Sequence, residues 1–114
     1  MAGYRLTIRD GARVERRRFD RVEDALAGLE ARGRELQEDA GARPLNAITR
    51  RYEPVQQVIG RLELSGPGRL RVGIDVRGDG SAEGWTGRVR RCLIERRERE
   101  TPYEALRRTV GKRG

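Results

Sequence analysis

The chain opens with a regular alternation of apolar and polar residues. Tyr4, Leu6 and Ile8 are separated by single polar residues, which is the spacing of a strand with one buried face. The chain then reaches Asp10-Gly11 and continues into a second, arginine-rich segment. Because Asp-Gly between two such segments predicts a β-hairpin, we expect the first two strands here.

The loop of this hairpin decides which face each side chain takes. A two-residue loop would place Val14 opposite Thr7 and mix apolar with charged residues on one face. A three-residue loop at residues 9–11 pairs Leu6 with Val14 and keeps one face apolar, with Gly11 in a left-handed bulge position. We therefore predict the three-residue loop.

An amphipathic helix is predicted to follow the hairpin. Asp20 and Glu23 have the spacing of a capping box at its start, and Gly41 suits the position just after its end. Gly33 lies on the buried side, where a glycine would allow another element to approach closely. The apolar stripe of this helix consists of Val22, Leu26, Leu29 and Leu36.

Residues 44–53 fit either a short helix or a strand. Leu45, Ile48 and Tyr52 have helical spacing, whereas a strand over residues 47–52 is nearly as compatible with the pattern. The sequence leaves both possibilities open.

Three more strands are predicted beyond this segment. One covers residues 58–64, and a strand over residues 85–95 comes last. The last strand alternates less regularly, and for it we predict a bulge at Arg90-Arg91 and a buried Cys92. The clearest strand lies between these two and carries the alternating apolar residues Leu70, Val72, Ile74 and Val76.

The final helix begins at a strong local signal. Thr101, Pro102 and Glu104 supply a capping threonine, a proline at the first helical position and the glutamate of a capping box. Gly111 is expected to end the helix, and residues 112–114 to form a frayed basic tail. The buried stripe of this helix consists of Tyr103, Leu106 and Val110.

These elements follow one another in the order ββαβββα. Residues 1–114 are predicted to form a single domain. Its fold class is α+β with two layers, in which an antiparallel sheet of about five strands packs two helices on one face.

Composition narrows the classes of function. The chain has no histidine and one cysteine, so a Ser-His-Asp or Cys-His site within one chain is impossible and a zinc site is not expected. We therefore predict that the protein is not an enzyme, has no catalytic or metal-binding residues and needs no cofactor. Asp75, Asp79 and Glu83 lie around one predicted turn, and we interpret them as solvated carboxylates rather than as a magnesium site.

The same composition bears on location. A single cysteine cannot form an internal disulfide, which fits a reducing compartment. The N-terminal residues lack the apolar run of a secretory leader, and no apolar run is long enough to span a membrane. We therefore expect a cytoplasmic protein with no membrane partner and no evident small-molecule substrate.

The net charge of +8 suggests an anionic partner. Lys112 is the only lysine among the 26 basic residues. A GC-rich genome would explain arginine over lysine but not the excess of basic over acidic residues. Arginines that alternate with apolar residues on the strands would project from the sheet face that the helices leave open. On the first hairpin, Arg5, Arg9, Arg13 and Arg17 are expected to project in this way. The candidate nucleic-acid-binding residues are Arg61, Arg69, Arg71, Arg77, Trp85, Arg88 and Arg90.

Trp85 has two interpretations. It stands between glycines and next to several arginines, a setting in which a tryptophan would stack on an unpaired base. Large aromatic side chains more often cover one end of a core, and we favour that role for Trp85.

Two hypotheses for function follow. The leading one is a small basic protein that binds DNA or RNA through an arginine-rich sheet face. The alternative is a protein-interaction module or a homodimer subunit without a nucleic-acid role, in which an exposed strand edge pairs with the partner. A further interpretation of the same arginines is an ordinary solvated sheet face, with Glu15, Glu63, Asp75 and Glu95 among them.

Two partial resemblances accompany this pattern. Residues 1–40, a hairpin followed by Phe19-Asp20 and a helix, resemble the arm-type DNA-binding modules of phage integrases, although the third strand of such a module is absent. Residues 20–111 are similar in element order to a double-stranded-RNA-binding domain, but Thr101-Pro102-Tyr103-Glu104 replaces the basic start of its last helix. The resemblances imply nucleic-acid binding only at the level of the fold, and no functional residue is carried over from them.

Overall fold

The computed structural model describes residues 3–42, 57–87 and 89–113. One layer is a six-stranded antiparallel sheet with the strand order β2-β1-β3-β4-β5-β6. The strands are β1 (Tyr4–Asp10), β2 (Arg13–Phe19), β3 (Val58–Gly66), β4 (Leu70–Arg77), β5 (Ala82–Thr86) and β6 (Cys92–Leu93). The helices of the second layer are α1 (Val22–Ala42) and α2 (Pro102–Arg113). Residues 44–53, for which the sequence left helix and strand open, lie outside the described residues.

The core lies between one face of the sheet and the two helices. Alternate residues of the central strands enter it, among them Leu6, Leu62 and Ile74, each completely buried. Leu29 of α1 and Leu106 of α2 close the core from the other side. The predicted α+β two-layer architecture is confirmed, and in the described part of the chain no helix is long and apolar enough to cross a membrane.

The two helices meet at Gly33, as its position on the buried side of α1 suggested. The ring of Tyr103 lies where a side chain on residue 33 would stand, with its Cζ atom 3.0 Å from an ideal Cβ position. Tyr103 Oη donates a hydrogen bond to Gln37 Oε1 (2.6 Å). Glycine at position 33 is therefore required for the close packing of α2 on α1.

The capping box of α2 is confirmed in both directions. Thr101 N donates to Glu104 Oε1 (2.8 Å), and Glu104 N donates to Thr101 Oγ1 (3.1 Å). The start of α1 differs from the prediction by one residue, because its first hydrogen bond runs from Ala25 N to Arg21 O (3.1 Å). Arg21 therefore occupies the capping position that was predicted for Asp20.

Both helices also continue past the glycines that were expected to end them. α1 runs through Gly41 to Ala42, and α2 runs through Gly111 to Arg113. Neither glycine has a positive φ. Since a single glycine weakens a helix by only about 1 kcal/mol, one glycine near a helix end does not force termination.

The sheet has six strands rather than about five, because the predicted strand over residues 85–95 is broken. β5 begins earlier, at Ala82, and ends at Thr86, where Gly87 takes a φ of 123° and turns the chain away. The chain returns as the two-residue strand β6. Cys92 is exposed rather than buried, because β6 is the outermost strand of the sheet.

The register of the first hairpin also corrects the sequence analysis. The turn consists of two residues, Gly11 and Ala12, so Leu6 lies opposite Arg17 and Val14 lies opposite Arg9. Val14 is 41% exposed on the face away from the helices. β2 is an edge strand with mostly exposed side chains, so burial does not impose an apolar face on it.

Candidate functional site

The face of the sheet that points away from the helices is called the open face here. Its side chains alternate with the buried residues of each strand and line up across the strands at intervals of about 4.8 Å. The first row contains Arg18, Arg5, Ser65 and Arg71. The second row contains Arg16, Thr7, Glu63, Gly73 and Trp85, and the third contains Val14, Arg9, Arg61, Asp75 and Glu83.

On the β3–β5 half of the open face, the predicted arginines have carboxylate partners. Each partner projects from a neighbouring strand, so that the charges alternate across the sheet. The pairs are Arg61 with Asp75 (2.8 Å), Arg71 with Glu63 (2.9 Å) and Arg77 with Glu83 (2.9 Å). Partly exposed pairs of this kind stabilise a fold by at most about 1 kcal/mol, but they offset much of the positive charge of this half.

The β1–β2 half is different. Arg5 and Arg9 on β1 and Arg16 and Arg18 on β2 are all exposed, and no ion pair joins any of them to another described residue. We call these four residues the arginine quartet. Arg5 lies directly opposite Arg18 in the register, and like charges at such positions destabilise a sheet. The quartet is therefore a concentration of uncompensated positive charge within the described structure.

A shallow cavity lies beside the quartet on the open face. Its volume is about 190 Å³. Arg5, Arg16 and Arg71 line it together with the hydroxyl groups of Thr7 and Ser65. Guanidinium and hydroxyl groups are donors that suit phosphate oxygens. Glu63, which also lines the cavity, contributes the opposing charge on the side toward β4.

Trp85 is buried, but outside the core between the sheet and the helices. Its ring lies over Gly73 on the open face, where a Cβ on residue 73 would stand 2.6 Å from Trp85 Cε2. The indole Nε1 donates to Asp75 Oδ1 (3.1 Å). The guanidinium of Arg91 covers the ring at 4.3 Å from its centroid. Trp85 therefore does not cover one end of the core, and its ring is reached from solvent only if Arg91 moves.

Two contacts hold Arg91 over Trp85. One is the cation–π contact with the ring, and the other is the ion pair between Arg91 Nη2 and Glu63 Oε1 (3.2 Å). The Arg91 side chain is 39% exposed. At exposed positions, each contact of this kind contributes at most about 1 kcal/mol. Arg91 is therefore held weakly compared with the buried ring below it.

The remaining predicted arginines lie apart from the quartet. Arg69 stands in the turn between β3 and β4 with a φ of 61°, and Arg90 is exposed in the turn between β5 and β6. Arg88 lies outside the described residues. On the first hairpin, Arg13 and Arg17 face the helix side, because their partners Asp10 and Leu6 do so.

Sequence reasoning missed Arg16 and Arg18, although a signal for them exists. Phe19 ends β2, lies opposite Tyr4 and packs against the core. If Phe19 is assigned to the buried face, then Arg16 and Arg18 must face the open side by strand alternation. The apolar residue at the end of the strand was therefore a better guide to the register than Val14 near the turn.

The carboxylates around the β4–β5 turn have partners within the chain. Asp75 accepts from Arg61 and Trp85, and Glu83 accepts from Arg77. Asp79 accepts hydrogen bonds from Ser81 Oγ (2.6 Å) and Ser81 N (2.9 Å), which lower the pKa of its carboxyl group. Among the described residues, no group of three or more acidic or cysteine side chains is arranged to hold a metal ion.

Comparison with protein-family models, curated proteins and solved structures finds no match for this chain. The two resemblances noted above therefore have no family match behind them, and α1 follows β2 without the third strand of an arm-type module.

Proposed function

We propose that this protein binds the phosphate backbone of nucleic acid and does not catalyse a reaction on it. The arginine quartet on the open face is the centre of the proposed binding surface. The observation that carries the proposal is the exposure of four arginines, on two adjacent strands, without carboxylate partners among the described residues. Such a cluster opposes folding by self-repulsion, and a polyanion would relieve that repulsion.

The spacing of the quartet favours a polymer over a small anion. Alternate residues on a strand lie about 6.8 Å apart, so Arg5 and Arg9 are separated by about 14 Å along β1. The row from Arg18 to Arg71 crosses four strands, which is again about 14 Å. A single phosphate ion would contact only part of this area, whereas a nucleic-acid backbone carries phosphates across all of it.

The ion pairs of the other predicted arginines change how much each is expected to contribute to binding nucleic acid. Arg61 and Arg77 are engaged with Asp75 and Glu83, so the proposal gives them a smaller role than the sequence suggested. Arg71 lines the cavity beside the quartet and would add a contact at the cost of its pair with Glu63.

The test compares two double variants of equal charge. Arg5→Gln/Arg16→Gln removes two members of the quartet, whereas Arg13→Gln/Arg17→Gln removes two arginines from the same hairpin on the opposite face. Binding to mixed-sequence DNA and RNA would be measured over a range of salt concentrations. Each lost phosphate contact reduces the slope of log K against log salt by about 0.9 on duplex DNA.

We expect the quartet variant to lose affinity and to show a slope smaller by about 2, while the control variant retains most of the wild-type slope. Circular dichroism and a urea titration would establish that both variants are folded. Equal losses in the two variants, or no binding by the wild-type protein at low salt, would contradict the proposal.

A second candidate function is supported by a different surface. Val89 (102% exposed) lies in the segment that leads to the edge strand β6, and Leu93 (67% exposed) lies in β6 itself. Exposed apolar residues next to a strand edge favour contact with another protein or a second copy of the chain. Sedimentation equilibrium of the wild-type protein and of Leu93→Ser tests this candidate, because self-association at this edge would weaken in the variant.

A further inference from the structure

Trp85 is the one large aromatic side chain that the described structure places on the open face. The inner side of its ring is supported by Gly73, where no side chain intervenes, and its edge is oriented by the hydrogen bond to Asp75 (3.1 Å). Both supports belong to the adjacent strand β4. The ring is therefore positioned by the sheet alone, without help from the group that covers its outer side.

That outer group is Arg91, and it can leave without disturbing the sheet. Arg91 belongs to the turn between β5 and β6, which Gly87 opens with a φ of 123°. Among the described residues, its guanidinium makes one ring contact, with Trp85, and one ion pair, with Glu63. Rotation of its side chain away from the ring would uncover the indole and would leave Gly73 and Asp75 in place.

We infer that Trp85 is a stacking site for an unpaired nucleobase and that the guanidinium of Arg91 occupies the position of the base in the free protein. A guanidinium and a nucleobase are both planar groups that stack on an indole face. When a base enters, Arg91 moves toward the phosphate of the same nucleotide. The inference depends on the proposed function, because it names single-stranded nucleic acid as the form that the open face binds.

The position of Trp85 relative to the quartet favours single-stranded nucleic acid over a duplex as the ligand. Trp85 lies in the same row as Arg16 and Thr7, about 19 Å from Arg16 when counted across four strand spacings. A single strand that crosses the sheet along this row would place phosphates at the quartet and a base at Trp85. A duplex keeps its bases stacked on one another and would have to extrude one to reach the ring.

The experiment distinguishes the contribution of the base to binding from that of the phosphate backbone. The wild-type protein is titrated with a single-stranded oligonucleotide, with an abasic deoxyribose-phosphate strand of the same length and with a blunt duplex. Trp85 is the only tryptophan in the chain, so its fluorescence reports on the site directly. A mobility shift reports total binding in the same samples.

We expect the base-containing strand to bind about tenfold more tightly than the abasic strand, because stacking on an aromatic side chain strengthens binding by roughly that factor. Only the base-containing strand should quench Trp85 strongly.

The variant Arg91→Ala leaves the ring and its supports intact. It should increase quenching of Trp85 by acrylamide and should raise the ratio of base-containing to abasic affinity. Arg96→Ala, which removes the same charge from an exposed residue between β6 and α2, should leave both quantities near their wild-type values.

The outcomes distinguish the two proposals. Equal affinity for both single strands, without a change in Trp85 fluorescence, would overturn the stacking site and leave the phosphate-binding surface standing. Equal quenching by the duplex would also overturn the preference for an unpaired base. Failure of all three ligands to bind at low salt would overturn the proposed function itself, and the stacking site with it.

Discussion

Tyr103 shows how a single residue connects distant parts of this chain. Its Oη donates to Gln37 Oε1 (2.6 Å) on α1, and Gln37 Nε2 donates onward to the backbone oxygen of Gly80 (2.9 Å) in the turn after β4. The ring packs on Gly33, and the guanidinium of Arg34 lies 5.2 Å from its centroid. Burial raises the pKa of the Tyr103 hydroxyl to about 12.

This raised pKa predicts a loss of stability at high pH. The folded protein disfavours the phenolate, whereas the unfolded chain ionises near pH 10. The contribution of neutral Tyr103 is therefore fully present below about pH 10 and is lost as the pH rises to about 12. A shift of this size corresponds to roughly 2–3 kcal/mol. Urea unfolding across this range should show the loss.

The control for this prediction is Tyr103→Phe. It keeps the ring on Gly33 but has no hydroxyl to ionise, so its free energy of unfolding should change much less between pH 10 and pH 12. A parallel decline in the variant and the wild-type protein would assign the pH dependence to other groups.

At the scale of secondary-structure elements, α2 has the most completely defined start. Its capping box satisfies backbone groups at the first turn. Just before it, the side chain of Glu100 accepts two hydrogen bonds from Arg108 (2.9 Å each). The bonds from Arg108 and the backbone N–H of Arg97 lower the pKa of the Glu100 carboxyl to about 2. Side chains of α2 therefore hold both Glu100, just before the helix, and Thr101 at its start.

Replacing the capping side chain should weaken this start measurably. Thr101→Ala removes the acceptor for Glu104 N, and we expect the free energy of unfolding to fall by about 1 kcal/mol. Thr101→Ser retains the hydroxyl, and serine caps helices at least as well as threonine, so the free energy of unfolding of this variant should stay close to the wild-type value. Urea denaturation of the two variants gives the comparison, and an equal loss in both would show that the methyl group, not the hydrogen bond, is responsible.

At the scale of the whole molecule, the net charge of +8 is unevenly distributed. On the helix side, Arg32 contacts Glu15 and Glu35, and Glu30 pairs with Arg34 and Arg107. On the β3–β5 half of the open face, Arg61, Arg71 and Arg77 each have a carboxylate partner. Among the described residues, the uncompensated charge of the sheet is concentrated on β1 and β2.

This distribution predicts a conflict between stability and binding. Arg18→Gln removes the like-charge pair with Arg5, so the free energy of unfolding should rise by a few tenths of a kcal/mol at low salt, while affinity for nucleic acid falls. The gain in stability should diminish at high salt, where charges are screened. Urea unfolding at both salt concentrations measures it.

The matched control is Arg17→Gln on the same strand. Arg17 faces the helix side and contacts Glu15 (2.9 Å), so its loss should not stabilise the protein. If Arg18→Gln destabilised the fold as much as Arg17→Gln did, the repulsion between Arg5 and Arg18 would be too small to oppose folding, and this prediction would be wrong.

The site illustrates where sequence reasoning reached its limit. Arg5 and Arg9 were correctly placed on the open face, because the alternation of β1 is regular and one of its faces is buried. Arg16 and Arg18 were missed, because β2 is an exposed edge strand whose residues carry little information on orientation. The turn lies at residues 11–12 instead of 9–11, so Leu6 pairs with Arg17 rather than with Val14, and this odd shift in register exchanged the two sets of arginines between the faces of β2.

Several features followed from the sequence by itself: the two-layer α+β class, the two helices, the clearest strands and the capping box at Thr101. They depend on periodicity and on contacts between residues three or four positions apart, which are local and leave a pattern in the chain. The close approach at Gly33 could also be anticipated, because a glycine on a buried stripe leaves space for a neighbour.

Only the tertiary structure decided which arginines of the described residues have carboxylate partners and which do not. The partners Arg61 and Asp75 lie on different strands, and Arg91 reaches Glu63 from the segment just before the edge strand β6. Such contacts depend on which residues the strand register brings side by side, 14 positions apart for Arg61 and Asp75 and 28 for Arg91 and Glu63, and patterns over three or four positions do not specify pairing at these separations. The burial of Trp85 beneath Arg91 and the isolation of the quartet on β1 and β2 are consequences of this long-range pairing.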